Sequence, residues 1–103
     1  MAYKLLVSED AHNDIRDIMG YMVRELKSSQ AAEGFLFDVE ESYRRVLDNP
    51  LVYSLCTDIR LERLGYRKIV IKNYLILYRV DEDKQIVYIV RIVYGARDYQ
   101  KLL

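Results

Sequence analysis

The chain has 103 residues, 51% of them hydrophobic and 31% charged, and its sixteen Lys and Arg are balanced by sixteen Asp and Glu. That is the length of one domain with room for a core and the composition of a folded globule, which excludes an intrinsically disordered chain. No apolar run approaches the roughly 20 residues a membrane span needs, and no signal-peptide core follows the first residues. The single cysteine, Cys56, leaves no internal disulfide or thiolate-rich metal site. A single cytoplasmic domain, residues 1–103, is expected, with no membrane partner and Cys56 as a small buried or half-buried apolar residue.

The neutral total hides an asymmetry. Residues 1–50 hold six Lys and Arg against ten Asp and Glu, whereas residues 51–103 hold ten against six. The positive charge concentrates between Arg60 and Arg79, where six basic residues accompany one acid, Glu62. Such a local excess attracts anions whatever the net charge.

In chain order, Tyr3–Val7 reads as a short strand, and Ser8 followed by Glu9 and Asp10 is a helix start. Ala11, Ile15, Ile18, Met22 and Leu26 then recur at helical spacing, widened by Met19, which predicts a helix over about 9–27. Gly20 in its middle suggests close approach of a neighbouring element. Ser28 and Ser29 interrupt this pattern and cap a second helix over about 30–48, with Ala32, Leu36, Val39, Tyr43 and Val46 or Leu47 on one face. That helix stops at Asn49, because the residue before Pro50 is pushed out of the α region. The short break between the helices predicts an αα-hairpin.

Residues 50–65 have no sustained period and read as an ordered connection pinned by Leu51, Tyr53, Leu55 and Leu61. From Tyr66 to Tyr94 the β-branched and aromatic residues predict three strands. The turns fall at Lys72-Asn73, with Asn73 taking positive φ, and at Asp81–Lys84. Links this short make the strands antiparallel. Alternation places Tyr74, Ile76, Tyr78 and Val80 on one side of the middle strand, and Leu75, Leu77 and Arg79 on the other. In the last strand Ile86, Tyr88, Val90, Ile92 and Tyr94 alternate with Val87, Ile89, Arg91 and Val93. Both faces are largely apolar. The helical hairpin can cover one, and the other calls for the C-terminal tail, the 50–65 connection or a second protein. The fold class is therefore α+β, in the order β-α-α-β-β-β with a short C-terminal tail.

The chemistry that remains is basic and aromatic. His12, the only histidine, sits in the first turn of helix one with no nucleophile or metal-ligand spacing around it, and the four glycines make no phosphate loop. No cofactor or metal is expected, and the helical carboxylates Asp10, Asp14, Asp17, Glu33, Asp38, Glu40 and Glu41 read as solvation. Arg79 inside the middle strand, with Arg97 and the Tyr94 hydroxyl after the last, would form an anion site if the three converge; the alternative is that Arg97 pairs with a carboxylate and fixes the tail. Arg60, Arg67, Lys68, Lys72, Arg91 and Tyr99 are candidates for contacting a target or a partner.

The helical hairpin followed by a meander, Tyr78-Arg79-Val80 in the middle strand and Tyr94-Gly95-Ala96-Arg97-Asp98-Tyr99 at the end, resembles the RelE/ParE toxins of bacterial toxin–antitoxin (plasmid stabilisation) modules. Val7–Ala11 opening helix one and Leu47–Leu51 closing helix two fit the same pattern, so the resemblance spans essentially the whole chain. It implies growth arrest and a cognate antitoxin, and leaves the oligomeric state, monomer or homodimer, open. RelE-like members cleave messenger RNA on the ribosome. For that activity Arg79 would steady the phosphate, but Tyr94 stands where relatives carry histidine and Ala96 where they carry arginine, and neutral tyrosine is a poor base. ParE-like members poison DNA gyrase by protein contacts, and the long hairpin resembles that branch. The resemblance thus implies a ParE-like toxin, with the messenger RNA endoribonuclease and an inactive binding module as alternatives.

Overall fold

The computed structural model describes residues 2–95 and 99–103. Strand β1 (Lys4–Val7) leads into helices α1 (Glu9–Arg24) and α2 (Ser29–Asp48). A short helix α3 (Ile59–Arg63) precedes strands β2 (Arg67–Ile71), β3 (Tyr74–Asp81) and β4 (Ile86–Tyr94), and a 3₁₀ turn spans Tyr99–Leu102. The α+β order and the antiparallel meander agree with the sequence reading. The whole sheet is mixed, however, because β1 lies parallel to β4 in the order β1-β4-β3-β2.

Ser8 makes the first junction. Its Oγ accepts the Ala11 N–H at 2.9 Å, capping α1, and donates to the Val90 carbonyl at 2.7 Å, tying the helix start to β4. Helix α1 ends at Arg24, short of the predicted 27, since Lys27 adopts φ 53° and turns the chain; Leu26 therefore leaves the apolar stripe and is exposed. The Ser28 Oγ accepts the Ala31 N–H at 3.0 Å and starts α2. Its buried stripe is Ala32, Phe35, Val39, Ser42 and Val46, so Phe35 rather than Leu36 points to the sheet. At Gly20 the close neighbour is the Arg24 side chain of the same helix, not another element.

The 50–65 connection contains a helix that the missing periodicity concealed. Asp58 caps α3 by accepting the Leu61 N–H at 3.1 Å. Gly65, at φ 82°, ends it with Gly65 N–H bonded to the Glu62 carbonyl and Tyr66 N–H to that of Leu61. This closure needs a left-handed residue that glycine adopts without penalty. The buried pins here are Leu61 and Cys56, whereas Leu51 and Leu55 are exposed.

The β2–β3 turn also differs from expectation: Lys72, not Asn73, takes positive φ, at 51°. In β4 the strict alternation fails. Leu77 pairs with Arg91 but Tyr78 pairs with Ile89, so Val90 is an extra residue in a bulge. Val87, Ile89 and Ile92 consequently all face the helices, while Val93 faces the other way. The hairpin covers the first face over Ile69, Ile71, Ile76 and Tyr78. On the second face Cys56, Leu61, Tyr99, Leu102 and Leu103 pack over Leu75, Leu77 and Val93. The connection and the tail thus cover one end of that face and leave the other end open.

Candidate functional site

The open end is built around Arg79. This side chain is exposed, stands opposite Tyr88 in the β3–β4 register, and holds its guanidinium carbon 5.3 Å from the centroid of the Tyr66 ring. Tyr66 is itself fixed by the closure of α3 and by its carbonyl, which accepts the Cys56 N–H at 2.9 Å. A cation stacked on an aromatic face is steadied while its outer N–H groups stay available. Two grooves meet at Arg79 and Tyr88. One, of about 300 Å³, runs between Leu6, Val7, Ser8, Tyr66 and Val90. The other, of about 560 Å³, is walled by Val80 and by Asp81, Glu82 and Asp83 of the β3–β4 turn. Leu6 is 49% exposed at the edge of this trough.

The remaining candidates lie elsewhere. Tyr94 pairs with Tyr74 on the helix side, their rings 5.8 Å apart at 75°. It is five residues along β3 from the Arg79 position, about 16 Å at the usual strand rise. Arg79 and Tyr94 therefore do not converge, and Arg97 lies outside the described residues. The Arg91 guanidinium binds Asp14 through Nε–Oδ2 at 2.8 Å and Nη2–Oδ1 at 3.0 Å, a bond that raises its pKa. Asp14 Oδ2 also accepts the Ile92 N–H at 2.9 Å. Asp14 is therefore a structural carboxylate beyond the end of β1, not a solvating one. Arg67 donates to the Tyr53 carbonyl at 2.6 Å and secures the connection. Lys68 is half-buried opposite Leu77, Lys72 is exposed in its turn, and Arg60 is exposed on α3. Tyr99 belongs to the second cluster, where burial raises its phenol pKa.

Behind the site, Tyr78 is fully buried and donates to the Pro50 carbonyl at 2.8 Å; burial pushes its pKa up to about 12. Among the described residues, the side chains lining the trough include no histidine, lysine or cysteine, and no three metal-ligating side chains cluster. The trough offers one braced cation, aromatic and aliphatic walls and an acidic rim. Arg79 is marked in the sequence by its charge within an apolar strand, whereas Tyr66, Tyr88 and Leu6 carry no such mark. The Asp58 cap and Gly65 were the signals that could have placed Tyr66.

A family model described as the ParE toxin of the type II toxin–antitoxin system, parDE, matches residues 5–99. The chain belongs to this toxin family. Among solved structures, it superposes on the chromosomal ParDE system of P. aeruginosa with a TM-score of 0.72 at 17% identity, covering 89% of this chain and 95% of that one. The RelBE2 toxin–antitoxin complex of Mycobacterium tuberculosis matches at TM-score 0.63 and 18% identity, over 91% and 99% of the two chains. The intact E. coli RelBE complex matches at TM-score 0.63 and 20% identity, over 93% and 100%. At these identities the ParDE and RelBE likenesses establish a shared fold. A search of curated proteins finds no match. No described helix of this toxin is long and apolar enough to cross a membrane.

Proposed function

We propose that this toxin is ParE-like: it acts in the cytoplasm, arrests growth by inhibiting DNA gyrase through protein contacts, and is neutralised by a cognate antitoxin. The observation that carries this reading is the separation of Arg79 from Tyr94. A ribonuclease needs a base or acid within hydrogen-bond reach of the group it deprotonates and a cation on the same phosphate. Here Tyr94 rests against Tyr74 and Arg79 against Tyr66. An exposed arginine among Leu6, Tyr66 and Tyr88 is suited to contacting a protein surface, where arginine and tyrosine commonly anchor binding. Arg79 is the proposed anchor and Arg97 a second contact, with Arg60, Lys68 and Tyr99 beside the same face; Lys72, in the β2–β3 turn, lines a separate groove with Phe37, Asp38 and Arg45 of α2.

Induced expression without antitoxin is expected to arrest growth, with gyrase–DNA cleavage complexes accumulating and messenger RNA intact. Cleavage within translated codons would overturn the gyrase reading in favour of ribosome-dependent messenger RNA cutting, and unimpaired growth would leave only a binding module. Arg79→Ala and Arg97→Ala are each expected to relieve arrest with an unchanged melting temperature; arrest at the wild-type level in both variants refutes the proposed contacts.

A further inference from the structure

The β3–β4 turn has a property that neither packing nor the hairpin requires. Asp81 has a local role, since its Oδ1 accepts the Lys84 N–H at 3.0 Å and closes the turn. Glu82 and Asp83 are exposed, make no hydrogen bond or ion pair among the described residues, and line the same groove as Arg79. Counting Lys84, the turn and Arg79 carry two positive and three negative charges, so the groove mouth is net negative although its best-placed donor is a cation. Carboxylates that line the same groove as a single arginine weaken what it offers to a phosphate, an effect that falls off over the Debye length of about 8 Å. A chain of phosphates brings several such charges at once and meets the rim repeatedly, whereas a polypeptide can present one acceptor to Arg79 and a neutral or cationic side chain to the rim.

We infer that Glu82 and Asp83 are specificity-determining residues that bar nucleic-acid phosphates from the Arg79 trough. This rests on the reading of the trough as a protein contact and adds the device that enforces it. Arg63, on the helix α3 that packs on this face through Leu61, and Lys68, opposite Leu77, supply the longer-range attraction for polyanions that such a device would have to counter.

The test is fluorescence anisotropy of the full-length chain with a labelled single-stranded RNA of about 16 nucleotides, titrated at about 50 to 200 mM salt. Glu82→Gln/Asp83→Asn is expected to bind at least about tenfold tighter than wild type and to show a steeper salt dependence, by about 0.7 in log–log slope for each phosphate newly contacted. Adding Arg79→Gln should abolish the gain. Glu33→Gln/Glu40→Gln, which changes net charge equally on the exposed side of α2, should shift affinity less than twofold. The inference is overturned if the turn variant binds no tighter than wild type, if the gain survives Arg79→Gln, or if the α2 control gains as much. Those outcomes leave the gyrase reading intact. Tight Arg79-dependent binding by the wild type would instead sink both.

Discussion

The Asp14–Arg91 pair decides whether Arg91 is a contact residue or a structural one, and it yields a quantitative test. Three hydrogen bonds converge on one carboxylate: two from Arg91 and one from the Ile92 N–H, at 2.8, 3.0 and 2.9 Å. The side chains of Arg91 and Asp14 are 21% and 14% exposed, so the pair is partly desolvated. Breaking a fully buried pair costs about 3–5 kcal/mol. Solvent access at this level reduces that to about 2–3 kcal/mol for Asp14→Ala, including the unpartnered backbone N–H. A domain of this size should then melt about 10 °C lower. Asp14→Asn keeps an acceptor for Ile92 and should lose about half as much. In an Asp14→Ala/Arg91→Met double-mutant cycle read by urea denaturation, the coupling energy should exceed about 1 kcal/mol. Coupling near zero would refute the structural role and return Arg91 to the list of surface contacts. The Asp14→Ala variant is informative in the growth assay too: arrest lost in step with stability marks the pair as scaffold.

Tyr78→Phe removes the bond to the Pro50 carbonyl and should destabilise by about 1–2 kcal/mol, measured by chemical denaturation. Burial raises the phenols of Tyr43 and Tyr78 to about 12 against an ordinary 10, so the folded chain holds these protons more tightly. Their stabilisation is fully present below pH 10 and is lost as pH rises towards 12. A melting temperature that stays flat between pH 9 and 12 would contradict this, and Tyr78→Phe should lessen the fall. Gln85 occupies the left-handed region at φ 56°, so Gln85→Gly should leave stability unchanged or raise it by up to about 1 kcal/mol, whereas Gln85→Val should lower it, as differential scanning calorimetry will report.

Much of this toxin is legible one residue at a time. Ser8, Ser28 and Pro50 bound the helices because capping and the pre-proline restriction act within a few residues of chain. Arg79 stands out because a charge inside an otherwise apolar and aromatic strand is costly unless it reaches solvent or a partner. The sequence reading therefore contained the α+β order, the hairpin, the meander and the residue around which the open groove forms. Helix α3 escaped notice because five residues are too few to show a period, although the Asp58 cap and Gly65 mark both its ends.

Tertiary structure decided what depends on partners distant in the chain. The bulge at Val90 follows from the register between β3 and β4, and one extra residue there moves Ile92 to the helix side, out of any strict alternation. Asp14 reads as a solvated helical carboxylate until β4 arrives beside it, 77 residues later, with an arginine and an open backbone N–H. Tyr94 and Arg79 are both conspicuous in the sequence, but pairing put them at opposite ends of β3 and on different faces, while Tyr66, Tyr88 and Leu6 came together around Arg79 from three different strands or their approaches. Local chemistry determines which side chains are available; only the packing of the sheet determines which of them share a site.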